Sequence, residues 1–332
     1  PEYGVATIPF PIPRDQYAHC MELLEALEIG DAVKTDCKVE KIDSFYTVLK
    51  RAEMLTVNVE ELNYLAKRLE SFDTGEAAQF QAMAHKLELF ELKDLINLTF
   101  CCQQATVITD FSDLAAVGRN HYMNLHGGSA SVDELNKLNG EETARQLIES
   151  GGGTITPYGV VYDNGMKLER VYDGRFFPCY YYEPNAITVA VTSKTEPEDT
   201  EHITWLYLPM VQEEIDRALL RGGITDPSEI RLSLEDSWLP HEVLDLLDMD
   251  HVDISELNAL VQALDEFSDM SIRKYAAAAV MARPHTTEQA KHLAENLDLF
   301  DFAPSASTPE EYGKYMIQQS GHFDYDENLD AF

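Results

Sequence analysis

Three pairs of adjacent carboxylates are the clearest candidates for chemistry in this 332-residue sequence. They are Glu213-Glu214, Glu235-Asp236 and Glu310-Glu311. Two neighbouring carboxylates can work as general acid and general base, but that chemistry also needs a nucleophile or a substrate pocket. Neither a nucleophile nor a pocket-forming glycine lies near the pairs in sequence. The pairs therefore favour a surface that presents negative charge, and we expect the protein not to be an enzyme.

A calcium site is the most tempting metal pattern. Asp324, Asp326, Asn328 and Asp330 alternate as at the start of a calcium loop, but the sixth position is Leu329 instead of glycine and no twelfth-position glutamate follows. The histidines lack the i, i+4 spacing of paired ligands on one helix face. Phosphate-loop, dinucleotide-binding, nucleophile-elbow and HExxH motifs do not occur. We therefore predict neither a metal site nor a cofactor.

Net charge is the outlying property of the composition. The chain has 59 Asp and Glu against 25 Lys and Arg, a formal net charge of −34. Residues 195–332 hold 30 acidic and 8 basic residues, a net charge of −22, against −12 for residues 1–194. Such a protein repels phosphates, so we expect no direct binding to nucleic acid and predict basic protein surfaces as partners. Laid along one surface, 22 charges would match about 35–40 Å of duplex DNA. The alternative is that these carboxylates are solvated helix faces.

One amphipathic phrase occurs twice, as NVEELNYLAKRLESF from residue 58 and DISELNALVQALDEF from residue 253. Both place leucine and phenylalanine at helical spacing, after an N-cap residue and with glutamate three positions on. Every matched pair is 195 positions apart, and the offset extends to Phe80 with Tyr275 and to Gly118 with Gly313. A register kept over this length indicates an internal duplication. Each copy is predicted to contain about four short helices.

A smaller mixed segment precedes each helical copy, with a short strand that runs into Pro11 or Pro209 and then a helix. Between the halves, Asn164-Gly165 and Asp173-Gly174 predict turns of an antiparallel hairpin or meander. We predict an α+β fold, an elongated tandem of small mixed modules and short-helix modules around this central meander. The predicted segments are 1–55 (mixed), 56–126 (helical), 127–195 (linker helix and meander), 196–252 (mixed) and 253–332 (helical).

The five cysteines, an odd number with no C-x-x-C spacing, predict reduced thiols. Long apolar runs and a signal-peptide pattern do not occur. These features predict a soluble protein located in the cytoplasm, without a membrane partner.

The order of several motifs in the second half resembles the ArdA antirestriction proteins. The motifs are WLYLPMVQEEIDRAL, then EDSWLP, ISELNALVQAL and TPEEYGKYMIQQSG. They place the family's strand–proline step at Leu208-Pro209, its acidic helix at Glu213-Glu214, a turn at Leu239-Pro240 and its helices at residues 256–258 and 312–317. The resemblance covers residues 200–332, and the first half is looser. The family's aromatic C-terminal continuation is missing after residue 332.

The resemblance implies a DNA mimic that occupies the basic DNA-binding groove of type I restriction-modification enzymes without catalysis. Family members of ordinary length hold one copy and form homodimers, so this chain would imitate a dimer or dimerise again. Two alternatives remain: a protein-binding scaffold or regulator of a mobile element, and an inhibitor of another nucleic-acid enzyme such as a CRISPR effector. The carboxylates predicted to form the mimic surface are Glu213, Glu214, Asp216, Glu235, Asp236, Asp245, Asp248, Asp250, Asp253, Asp265, Glu266, Glu310, Glu311, Asp324, Asp326 and Glu327.

Overall fold

A computed structural model describes residues 4–180, 186–195, 202–245, 247 and 251–319. Short helices and small antiparallel sheets make up these residues, which confirms the predicted α+β class. The chain forms two compact units. The first contains Pro1–Pro184, Glu201–Trp205 and Glu213–Thr225, and the second contains the remaining residues. Residues 213–225, which lie within the predicted 196–252 segment, thus belong to the first unit.

The first unit is mainly helical and contains two small sheets. Its strands are β1 (Cys37–Lys38), β2 (Thr56–Val57), β3 (Thr106–Ile108), β4 (Thr154–Thr156) and β5 (Gly159–Tyr162). Its helices are α1 (Tyr17–Glu25), α2 (Val59–Glu70), α3 (Thr74–Lys86), α4 (Leu92–Leu98), α5 (Leu114–Leu125), α6 (Val132–Lys137), α7 (Gly140–Glu149) and α8 (Gln212–Arg221). Strands β1 and β2 pair antiparallel, and a second antiparallel sheet has the order β3-β5-β4.

The central hairpin forms, but its turn is not at the predicted position. Strands β4 and β5 are joined around Pro157 and Tyr158, and the third strand, β3, comes from residues before the predicted meander. Asn164 and Gly165 do adopt the left-handed conformation of a turn, but residues 166–180 contain no strand, and the next described strand begins at Ile187. Around Tyr172 a side chain takes the place of a neighbouring strand. Asn97 accepts a hydrogen bond from the Tyr172 N–H at 2.8 Å and donates one to the Tyr172 C=O at 3.0 Å.

The second unit combines a three-stranded sheet with a helical module. Its strands are β6 (Ile187–Ser193), β7 (Thr204–Leu208) and β8 (Ile230–Ser237), in the order β7-β6-β8, and the first two residues of β7 belong to the first unit. Its helices are α9 (His241–Leu244), α10 (Ile254–Asp265), α11 (Asp269–Ala282), α12 (Thr287–Glu295) and α13 (Pro309–Gln318). Strand β6 pairs antiparallel with β8 and contains a register shift between Thr188 and Val189.

The sequence offset of 195 also relates the helix starts of the two units. Helices α2, α3, α4 and α5 begin at residues 59, 74, 92 and 114, and helices α10, α11, α12 and α13 begin at 254, 269, 287 and 309. An edge-to-face aromatic contact recurs as well. Phe72 meets Phe80 and Phe267 meets Tyr275, each with ring centroids 6.2 Å apart. Each unit therefore contains a module with the same helix order around an equivalent aromatic pair.

An asparagine in each module holds the proline segment that precedes it in its own unit, although the strand predicted before Pro11 does not form. Asn63 Oδ1 accepts a hydrogen bond from the Ile12 N–H at 2.8 Å, and Asn258 Oδ1 accepts one from the Met210 N–H at 2.9 Å. Both asparagines are buried, and both acceptor contacts follow a cis X-Pro peptide bond. A buried amide needs such partners, so the ELN phrase fixes the helix to the preceding segment in both units.

The glutamate of the ELN phrase does not act as a helix cap, in contrast to our expectation. Asn58 and Asp253 do cap α2 and α10 through their side chains, as predicted. Glu61, however, accepts a hydrogen bond from the Tyr172 hydroxyl at 2.7 Å, and Glu256 accepts one from the Thr287 hydroxyl at 2.6 Å. Tertiary partners therefore take the carboxylates that a reciprocal capping box would use.

Two glycines allow helices α5 and α7 to touch at backbone distance. A Cβ atom on Gly118 would lie 1.8 Å from the Gly140 carbonyl oxygen, and one on Gly140 would lie 2.4 Å from the Ala115 oxygen. Beside this contact Leu147 of α7 packs with Val117 of α5. No larger residue fits at either glycine unless the two helices move apart.

Candidate acidic binding surface

Most of the predicted carboxylates that the structure describes are exposed. Those fully on the surface are Asp216, Glu235, Asp236, Asp245, Asp253, Asp265, Glu266, Glu310 and Glu311. Glu213 and Glu214 are partly buried. The other five lie outside the described residues: Asp248, Asp250, Asp324, Asp326 and Glu327. The alternating carboxylates considered for calcium lie in that part of the chain as well.

Glu214 is not available to a partner, so its assignment to the binding surface is wrong. Its carboxylate forms an ion pair with Lys67 at 3.1 Å, and both side chains are more than four-fifths buried. Breaking a pair in such surroundings leaves an unpaired charge with poor access to water. Glu214 therefore contributes to the fold of the first unit.

Two of the exposed carboxylates are bound by the backbone of their own helices. Asp253 accepts from the N–H groups of Ser255 and Glu256, and Glu311 accepts from those of Ser307 and Thr308 in a capping box. These backbone bonds lower the pKa of Glu311. Both carboxylates keep their negative charge, but the positive end of the helix dipole offsets part of it. They are weaker candidates for contact with a partner than Glu266 or Glu310.

The charges of three carboxylates on α1 and α8 act on Glu213, and we call these four side chains the acidic ridge. It consists of Glu22 and Glu25 on α1 and Glu213 and Asp216 on α8. Burial raises the pKa of Glu213, Arg217 opposes this shift, and the charges of Glu22, Glu25 and Asp216 raise the pKa further. Since like charges act on one another only at short range in salt solution, the ridge is a site of concentrated negative potential.

Sequence reasoning missed half of this ridge. Glu22 and Glu25 lie in the first half, where the net charge is lower, and they meet the second half only because α8 packs in the first unit. A signal was present, since α1 and α8 both follow the corresponding prolines Pro11 and Pro209. Equivalent acidic helices were therefore visible, but their contact was not.

The arginines of α8 point the other way, into the first unit. Arg221 is 5% exposed and donates to the Ala32 carbonyl at 2.9 Å and to Asn58 Oδ1 at 3.0 Å. It also contacts the Tyr172 hydroxyl, and it lies 3.7 Å from Glu61. This guanidinium thus neutralises a glutamate and satisfies several buried acceptors at once.

Arg217 forms a second inward ion pair, with Glu60 at 2.6 Å, and also donates to the Gly30 carbonyl at 2.8 Å. The Tyr17 hydroxyl donates to the same Glu60 carboxylate at 3.3 Å. Burial and the charge of Glu60 raise the pKa of Tyr17 well above its usual range, so it stays a neutral donor. Both α8 cations are thus paired with internal glutamates, and Asp216 is the exposed charged side chain of α8.

The described residues include many His, Cys, Asp and Glu side chains, the types that bind metal ions. Within them, no three or more His, Cys, Asp or Glu side chains are grouped so as to hold a metal ion. None of the described helices has the length and apolar character needed to cross a membrane. All five cysteines are free thiols.

Comparison with known proteins adds no relative. The chain matches no protein-family model, and neither a curated protein nor a solved structure is significantly similar to it.

Proposed function

We propose that this protein is an acidic DNA mimic of the ArdA type. It would inhibit type I restriction-modification enzymes by occupying their basic DNA-binding groove, and the inhibition would make and break no covalent bond. Exposed carboxylates would stand where the groove expects phosphates. The support comes from the charge distribution of the described residues and from the order of motifs in the second half.

The separation of charge within α8 is the observation that carries the proposal. Arg217 and Arg221 are turned inward to Glu60 and Glu61, whereas Asp216 is exposed. Each of the two inward pairs is neutral, so the net negative charge of the composition stays on the remaining side chains, Asp216 among them. A need for solubility alone does not explain why Arg217 and Arg221 point inward, because an exposed arginine side chain also favours solubility.

Helical spacing gives the carboxylates a regular arrangement. Glu22 and Glu25 are three residues apart on α1, and Glu213 and Asp216 are three residues apart on α8. Such pairs have Cβ atoms about 5–6 Å apart on one helix face. Repeated charge at a fixed spacing on rigid elements is what recognition of a phosphate-binding groove requires.

The motif order also supports the proposal. The Leu208-Pro209 step directly precedes the acidic helix α8, and the Leu239-Pro240 step directly precedes α9. The ELN phrase lies at the start of α10, and Thr308 caps α13. The motifs that carry the resemblance thus stand at element boundaries, where short motifs have structural meaning.

A second candidate function is a protein-binding scaffold of a mobile element. Exposed apolar side chains of the second unit favour it, among them Met281 at 78% and Leu299 at 81% exposure. Scattered apolar residues are normal on a surface, but a contiguous patch would mark a protein interface. An inhibitor of another nucleic-acid enzyme, such as a CRISPR effector, would use the same acidic surface and differ only in its target.

Neutralising the acidic ridge tests the proposal. The variant Glu22→Gln, Glu25→Gln, Glu213→Gln is expected to bind a type I methyltransferase core about tenfold more weakly than wild type at low salt, because the two exposed charges and the partly buried one contribute about 0.5 kcal/mol each. A single substitution should cost about twofold. Binding is measured by isothermal titration calorimetry.

The matched control removes the same charge elsewhere in the first unit. It is the variant Glu40→Gln, Asp43→Asn, Glu169→Gln, whose three carboxylates are exposed. If this control variant binds the methyltransferase core with wild-type affinity, the weaker binding of the first variant is due to the ridge. Equal losses in both triple variants, or no loss in either, would contradict a defined mimic surface that includes the ridge.

A further inference from the structure

Helix α13 carries at Gly313 the glycine that α5 uses, at Gly118, to contact another helix. In the first unit Gly118 is buried against Gly140, the first residue of α7. The α7 side chains Ala144 and Leu147 follow four and seven residues later and are buried. This face of α5 is therefore a seat for a helix that begins with glycine and continues with apolar residues at helical spacing.

The corresponding face of α13 is open in the described part of the second unit. A Cβ atom on Gly313 would have no described atom within 4 Å. Tyr312, the counterpart of Val117, is 49% exposed, and Ile317, the counterpart of Tyr122, is 40% exposed. Glycine is a poor residue for an exposed helix interior, where alanine is favoured by about 1 kcal/mol, so its presence there needs a reason.

Charge indicates what kind of helix fits this seat. In the first unit, the start of α7 lies against Ala115 and Gly118. The counterpart of Ala115 is Glu310, and Glu311 follows it, both exposed. The first turn of α7 contains Glu141 and Glu142, which these carboxylates would repel. A helix with lysine or arginine in its first turn would be attracted instead.

We propose that the α13 seat, formed by Glu310, Tyr312, Gly313 and Ile317, docks an α-helix of a partner protein. The docked helix begins with a small residue and has basic residues in its first turn. It places apolar residues four and seven positions after the small one, as α7 does. The seat belongs to the second unit and the acidic ridge to the first, and this assignment does not depend on the antirestriction proposal.

The probe is a peptide of residues 139–150 carrying Glu141→Lys and Glu142→Lys. Short isolated helices are marginal in water, so a hydrocarbon staple joins positions 145 and 149, which are exposed in α7. A second stapled peptide keeps both glutamates. Fluorescence anisotropy measures the binding of each labelled peptide to the full 332-residue chain and to its variants.

The lysine peptide is expected to bind at least tenfold more tightly than the glutamate peptide. Gly313→Ala should weaken it at least tenfold, because the new Cβ blocks the close approach of the docked helix. Gly75→Ala, at an exposed glycine of α3, is the matched control and should bind like wild type. Circular dichroism should show that Gly313→Ala remains folded.

Three results would overturn the assignment. The first is that neither peptide binds to the chain. The second is that the Gly313→Ala variant binds the lysine peptide as tightly as wild type does. In the third, sedimentation velocity shows a self-association of the chain that Gly313→Ala abolishes, in which case the occupant is a second copy. The methyltransferase experiment tests the antirestriction proposal, and the peptide experiment tests the α13 seat. A negative result in the first does not change the expected results of the second, so the failures of the two proposals are distinguishable.

Discussion

Replacing Gly118 with alanine is expected to lower the free energy of unfolding of the first unit by about 3 kcal/mol or more. The new Cβ would lie 1.8 Å from the Gly140 carbonyl oxygen and 2.7 Å from its carbonyl carbon, so α5 and α7 must separate. Overpacking typically costs about 1–3 kcal/mol, and here the obstructing atoms are backbone that no rotamer change can move. Urea unfolding measures the change, and hydrogen exchange in residues 114–125 locates it.

The equivalent substitution in the second unit should have the opposite sign. Gly313→Ala meets no described atom within 4 Å and replaces glycine in a helix interior. We expect it to stabilise α13 by up to about 1 kcal/mol. Destabilisation by both substitutions would mean that Gly313 is packed as Gly118 is. An unchanged Gly118→Ala protein would mean that α5 and α7 do not touch.

Replacing Arg221 with alanine is the second large effect, an expected loss of about 3–5 kcal/mol of stability in the first unit. The guanidinium pairs with Glu61 and fills acceptors on Ala32 and Asn58. Without it a carboxylate that is largely buried loses its counterion. Chemical denaturation measures the loss, and Arg119→Ala, at an exposed position of α5, should change stability by no more than about 0.5 kcal/mol.

A double-mutant cycle separates the ion pair from the rest of the network. If the Glu61 charge causes the loss, Glu61→Gln should recover part of it in the Arg221→Ala background. A loss as small as that of Arg119→Ala would contradict the buried position of Arg221. Losses of the two single variants that simply add would show that Arg221 and Glu61 are not coupled.

Local signals explain why much of the fold was predictable. The caps Asn58 and Asp253 and the leucine stripes are short-range features, and they predicted the starts of α2 and α10. The α+β class followed from the alternation of such helices with β-rich runs. These elements depend on residues within one or two helical turns of each other.

Long-range polar contacts were not predictable for the same reason. Arg221 and Asn58 are 163 residues apart, and Arg217 and Glu60 are 157 apart, so each resembled an ordinary charge on a solvated helix face. The hairpin turn was misplaced because Asn97, 75 residues away, bonds the backbone of Tyr172. Burial of these groups is decided by tertiary packing, which local sequence does not encode.

The inward arginines connect the fold to the proposed function. Glu60 and Glu61 open α2, where their charge is paired with Arg217 and Arg221 of α8. The same helix α8 contributes Glu213 and Asp216 to the acidic ridge. One helix thus stabilises the first unit with Arg217, Arg221 and Glu214 and contributes Glu213 and Asp216 to the ridge.

Displacement of duplex DNA from a type I methyltransferase core tests the central proposal most directly. Labelled duplex is bound to the core at low salt and the 332-residue chain is titrated in, with fluorescence anisotropy reporting the release of DNA. We expect complete displacement, and we expect the affinity of the chain to fall steeply as salt is raised, as it does for DNA. DNA that stays bound at every molar excess of the chain would contradict the proposal.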